Sequence, residues 1–198
     1  MRIQLLFALL TLLALRANGQ QLLKIDLSNR CIFYPQGQEE ELYSFPTAAR
    51  DVPQLVADLL ALAGETEQNF TLLQANVENV SAVVDSTGRY LLWNPYFLEY
   101  PSPILGYVAF AHEMAHHLYR HRLTTDYNHI EEREADVFMG LIIGKSNIPL
   151  QQILPELDTT VFRASTTKYD RREAVMEGYR QAEKSLKLSA LAFDNDPA

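Results

Sequence analysis

The segment His112-Glu113-Met114-Ala115-His116, set in the apolar run of residues 103–119, constrains this chain more than any other stretch. An α-helix advances about 3.6 residues per turn, so two histidines four apart project from one face and can grip a single ion. Zinc takes imidazole nitrogens at about 2.0–2.1 Å, and its catalytic sites use three protein ligands with the fourth position left to water. Glu113 follows the first histidine, where its carboxylate can reach such a water without ligating the metal, and it is read as the general base. Leu105, Val108, His112, Ala115 and Tyr119 recur at helical spacing and put the histidines on an otherwise apolar face. Buried there without a partner, two imidazoles and a carboxylate would be costly; a metal or hydrogen bonds must compensate.

Two histidines leave the coordination shell incomplete. Downstream, Glu131-Glu132-Arg133-Glu134-Ala135-Asp136 opens a second apolar-periodic segment that runs to position 143. Glu132 and Asp136 share a helix face, so Glu132 can be the third ligand while Asp136 accepts the free ring N–H of a ligand histidine. Glu131 and Glu134 are expected to face elsewhere. The bland alternative is a charged first turn that complements the helix dipole.

His112-Glu113-x-x-His116 followed by Glu132-x-x-Ala135-Asp136 resembles the gluzincin metalloproteases. The nearest pattern is that of the CaaX prenyl protease, the HtpX-like membrane proteases and the BepA-like periplasmic endopeptidases. The resemblance spans about residues 70–179. It implies zinc bound by His112, His116 and Glu132, Glu113 as base, and Asp136 orienting a ligand. It also implies that Asn79-Val80-Ser81-Ala82 is the counterpart of a strand that pairs with the substrate main chain, although an ordinary hairpin explains those residues equally well. Relatives carry a Thr-His-Pro element ahead of an Arg-led helix; here Thr167 and Lys168 stand where His and Pro would be, and Arg172 aligns with the Arg. Tyr169, Arg172 and His129 are candidates for stabilising the oxyanion or ordering the site.

At the start of the chain, a positive Met1-Arg2, an apolar stretch over residues 5–15 and the small residues Ala17-Asn18-Gly19 read as a secretory signal cut after Gly19. The apolar stretch is shorter than the roughly 20 residues that span a bilayer. The mature protein is therefore expected to be exported, periplasmic or secreted, with no stable membrane span. Cys31 is the one cysteine, which rules out an intramolecular disulfide. With 17 Lys and Arg against 25 Asp and Glu, the net charge of -8 argues against nucleic acid as a partner. Peptide or unfolded protein is the expected substrate.

Residues 20–50 read as a mostly irregular arm interrupted by Pro35, Gly37 and acidic residues, with short strands conceivable at 21–27 and 31–34. Val52, Leu55, Val56, Leu59, Leu60 and Ala63 predict a scaffold helix capped by Asp51 and ended by Gly64. Strand periodicity follows at 70–74, 80–84 and 90–93, with a turn between the last two. His117 is rotated about 100° from His116 and should point away from the metal; His121 and His129 are expected in solvent near the loop between the ligand helices. Gly144, Asn147 and Pro149 should end the second ligand helix, a short helix should follow over 150–157, and Val175, Tyr179, Ala182 and Leu186 predict a long final helix.

These readings converge on an α+β chain, a zincin-like single domain over residues 51–193 with a small antiparallel or mixed sheet packed on the active-site helix and a frayed tail at 194–198. The expected activity is zinc-dependent endopeptidase cleavage with one Zn²⁺ per chain. The alternative is a non-proteolytic zinc-binding scaffold or chaperone-like protein of the cell envelope.

Overall fold

Val52, Val56, Leu59 and Leu60 line the buried side of the first helix, α1 (Val52–Ala63). Gly64, at φ +84°, lets the chain turn back so that Gly64 N–H reaches the Ala61 carbonyl and Glu65 N–H that of Leu60. The computed structural model describes residues 21–27, 42–44, 52–96, 103–123, 128–158 and 170–194; the stretch read as a secretory signal (residues 1–19), Asp51, Cys31 and residues 165–169 lie outside them.

Three strands follow: β1 (Thr71–Gln74), β2 (Val80–Val84) and β3 (Arg89–Trp93). The sheet is mixed, in the order β1-β3-β2, with β3 parallel to β1 and antiparallel to β2. Asp85 shapes the β2–β3 turn: its carboxylate accepts from the Thr87 N–H, the Thr87 hydroxyl and the Gly88 N–H. Strand alternation sends Leu72, Val80, Leu91 and Trp93 into the main core with the helices. On the opposite face Leu73, Val83 and Leu92 pack with Leu23, Ile25, Leu27 and Leu42 of the N-terminal arm. The described part of that arm is irregular, tied by an isolated bridge between Leu22 and Tyr43, and lies on the side of the sheet turned away from the histidine helix.

That helix is α2 (Pro103–Leu118), and it is more deeply enclosed than an amphipathic stripe requires. Val108, Phe110, Ala111, Met114 and Ala115 point in different directions and are all buried, whereas Tyr119, assigned by its spacing to the inner face, lies beyond the helix and is 49 % exposed. A helix apolar all round is one surrounded by protein. The second ligand helix, α3 (His129–Lys145), begins at Asn128, whose side chain accepts from the Ile130 N–H. It ends at Lys145 with Ser146 as its cap; Asn147, just beyond, is in the left-handed region at φ 57°, and Pro149 follows. Gly144 does not end it: the glycine is inside α3, pressed against the last helix. A short α4 (Leu150–Ile153), a 3-10 turn (Glu156–Asp158) and the long α5 (Arg171–Asp194) complete, among the described residues, an α+β arrangement of five α-helices and one small mixed sheet. Among the described residues no helix is long and apolar enough to cross a membrane.

Candidate metal centre

His112 and His116 lie one turn apart on α2, and Glu132 lies in the first turn of α3, so the site closes only when the two helices pack. The Nε2 atoms of the two histidines are 3.3 Å apart, and the Glu132 oxygens stand 3.4 Å from His112 Nε2 and 3.5 Å from His116 Nε2. Ligands bonded to zinc at about 2.0–2.1 Å in tetrahedral directions are about 3.4 Å from one another. Glu132 faces each histidine with a different oxygen, at spacings near those of one small cation's shell; one ligand atom from each of the three residues lies within 4.8 Å of the others, and among the described residues they form the group able to take an ion.

Charge points the same way. Glu113, Glu132 and Asp136 are buried, and Arg171 is the buried cation beside them. Three carboxylates exceed Arg171 and a protonated His112 by one charge, and a divalent cation that displaces the His112 proton would balance them; buried charge of one sign is otherwise expensive.

Each ligand is held from behind. Asp136, one turn along α3 from Glu132, places Oδ1 2.9 Å from His112 Nδ1, which fixes the tautomer that presents Nε2. Burial alone would depress the His112 pKa, but the Asp136 and Glu132 carboxylates outweigh it and raise it to about 9. Glu132 is pushed up by burial and pulled down further by the two imidazoles and Arg171, reaching about 2. His116, buried beside other imidazoles, is held well below its ordinary value. In the metal-free protein one proton thus sits on His112, and a cation must displace it. Because the folded value near 9 lies above neutrality, affinity for a divalent cation should fall about tenfold for each pH unit lowered below it and level off above it. Calorimetry in buffers of different ionisation enthalpy should find about one proton released per cation bound near pH 7.

Glu113 reaches the sheet, where its Oε2 accepts from the Ala82 N–H at 2.7 Å. Asn79 and Asp85 bond across to the β3 side, so the residues between them at even positions, Val80, Ala82 and Val84, turn their peptide groups to the outer edge of β2. The Asn79-Val80-Ser81-Ala82 segment is therefore an edge strand beside Glu113, with Ser81 on the arm-covered face.

The remaining candidates divide. Arg172 is exposed, its side chain 3.4 Å from the Leu154 carbonyl. Its neighbour Arg171 is the residue that enters the site, with Nε 2.9 Å from Asp136 Oδ2 and a terminal nitrogen 3.6 Å from Glu132. Sequence pattern alone does not separate adjacent arginines at a helix start; the one-residue difference is a 100° rotation. Arg171→Met should cost about 3 kcal/mol, because it strips a buried pair of one partner, and Arg172→Met less than about 0.5 kcal/mol. Denaturant titration of the two metal-free variants would show the difference. His129 is the half-buried first residue of α3, and Tyr169 lies outside the described residues.

His117 points away from the triad, as its position on the helix predicts. Stacked on Phe70, it bonds the Tyr90 carbonyl through Nε2 and accepts from Arg89 through Nδ1. Burial and the neighbouring Arg89 hold its pKa down at about 3, so it is a neutral core residue. His121 differs from its expected place in solvent: it is buried, with Nδ1 2.9 Å from His116 Nδ1. No helix periodicity could have found it, because it lies past the end of α2.

Comparison with protein-family models, with curated proteins and with solved structures finds no match. The assignment of the site rests on its geometry.

Proposed function

We propose that this chain is an exported zinc metalloendopeptidase of the gluzincin type, with a zincin-like domain over residues 51–193. One observation carries the proposal: two buried imidazole nitrogens 3.3 Å apart on one helix meet a buried carboxylate from another, one oxygen 3.4 Å from the first and the other 3.5 Å from the second, with a glutamate following the first histidine and bonded to a sheet edge. His112, His116 and Glu132 would hold the zinc, and Asp136 and Arg171 keep His112 and Glu132 in place. A zinc ion there supplies Lewis acidity toward an attacking water and the scissile carbonyl.

The chain's own residues account for the rest. Glu113 takes the proton of the attacking water on its carboxylate and delivers it to the departing amine nitrogen. The Ala82 N–H holds that carboxylate between strand and helix, fixing the direction in which it accepts. Pairing of an extended substrate along β2 would start at Val84, the part-exposed end of the strand, and would reach the outward peptide groups of Val80 and the Ala82 carbonyl once the cover over those buried residues gives way; the Ala82 N–H is held by Glu113. Such pairing reads main chain and suits unfolded or misassembled protein rather than a single sequence.

The test uses the purified mature chain. It should contain about one zinc, cleave casein, lose that activity to a chelator and regain it with added zinc. Zinc uptake without cleavage of any unfolded substrate would favour the non-proteolytic envelope scaffold. Absence of zinc uptake would remove the metal centre itself.

A further inference from the structure

We propose that Glu134 and His121 form a positioning relay for His116, holding its ring in the tautomer and orientation that present Nε2 to the cation. This rests on the reading of His112, His116 and Glu132 as one metal site. His112 has a carboxylate directly behind it, and His116 has none: behind its Nδ1, at 2.9 Å, stands Nδ1 of His121. The other nitrogen of His121, Nε2, is 3.0 Å from Glu134 Oε2.

Proton bookkeeping along this line has one solution when His116 gives its Nε2 lone pair to a cation. His116 must then carry its proton on Nδ1 and donate it to His121 Nδ1. His121, accepting there, must carry its own proton on Nε2 and donate it to Glu134. A carboxylate is an acceptor only, so the half-exposed Glu134 sets the direction of the whole chain and a single surface charge orders two buried rings.

The backbone is built to bring His121 to this place. At the end of α2, Arg120 N–H bonds the His117 carbonyl and His121 N–H the His116 carbonyl, the double bond of a Schellman turn. That turn needs a left-handed residue, usually glycine, and here Arg120 occupies it at φ 58°. Leu123, buried against Ala82, is left-handed too, at φ 51°. Two such residues without glycine's freedom cost about 1–2 kcal/mol each, and they flank His121. Arg89 reaches over from β3 and ties down the carbonyls of both His116 and His121. The rings of the two histidines meet edge to face at 4.9 Å.

The test measures zinc affinity of the full mature chain by competition with a chromophoric chelator, with no reference to turnover. His121→Leu should bind zinc 10–100-fold more weakly, the range found when a partner behind a ligand histidine is removed. His121→Asn should recover most of that loss, because its amide oxygen stands about where Nδ1 accepts. Glu134→Ala, a surface change, should weaken binding less and leave folding intact. In the zinc-loaded wild type, long-range ¹H–¹⁵N spectra should show His121 protonated at Nε2 and His116 at Nδ1; Glu134→Ala should mix the His121 tautomers. If wild type takes up no zinc, the metal site fails and the relay with it. If wild type binds and His121→Leu binds equally well, or His121→Asn is no better than His121→Leu, the relay alone is overturned.

Discussion

Glu113→Gln should lower the rate of casein cleavage by about 10²–10⁴-fold while the protein still takes up about one zinc per chain. The separation of the two readouts follows from geometry. The group that could hold a metal ion is His112, His116 and Glu132, and Glu113 is outside it. Its carboxylate is turned to β2, where Oε2 accepts from the Ala82 N–H. Glutamine keeps an oxygen for that bond and the same length, so strand and helix stay joined. What it loses is the capacity to take a proton. A variant that retains zinc and full cleavage would sink the role given to Glu113. A variant that loses zinc as well would place Glu113 among the groups that build the site, and the rate would then say nothing about proton transfer.

The parts of this site legible in the sequence are those governed by the period of a helix. His112 and His116 read as a pair because they repeat after one turn, and so do Glu132 and Asp136. The structure brings both pairs to one point. Among the described residues the three strands and the other helices also lie close to where periodicity and turn residues put them, including the stop at Gly64, while the helix expected over 150–157 is only one turn, Leu150–Ile153, followed by a 3-10 turn. What escaped is the geometry that depends on tertiary reversal. His121 is outside α2, and only a left-handed turn at Arg120 swings it under His116. Arg171 and Arg172 look alike in sequence, and the packing of α5 on α3 decides which of them points inward. The sheet order β1-β3-β2 is also invisible to local pattern, because three short strands satisfy the same alternation in either parallel or antiparallel pairing. Gly144 resembled a helix stop because glycine commonly is one; its neighbours in α5 show that it is a packing residue.

That packing leads to the second large effect. Gly178→Val should unfold the metal-free protein at a temperature lower by many degrees and weaken zinc binding, although residue 178 touches no ligand. A β-carbon at Gly178 would stand 1.8 Å from the Val137 carbonyl oxygen and 2.7 Å from the Leu141 nitrogen. At Gly140 it would stand 2.0 Å from the Val175 oxygen, and at Gly144 2.6 Å from the Ala182 side chain. These are mostly backbone atoms, which cannot turn aside as a side chain can, so the two helices must move apart. Overfilling of a packed core costs typically 1–3 kcal/mol, and a backbone clash of this size belongs at or above the upper end. The consequence for the site runs through Arg171, the first residue of α5, which lies against Asp136 and Glu132 only while α5 is seated on α3. Displacing the helix withdraws that guanidinium from a buried cluster with an excess of carboxylates, and both Asp136, behind His112, and Glu132 lose their anchor. Thermal melts with and without zinc distinguish this from simple loosening. If the variant melts lower but zinc raises its midpoint as much as it does for wild type, the helix pair supports the fold without supporting the metal centre. A smaller shift with zinc is the expected result, since metal stabilisation scales with affinity for the folded state.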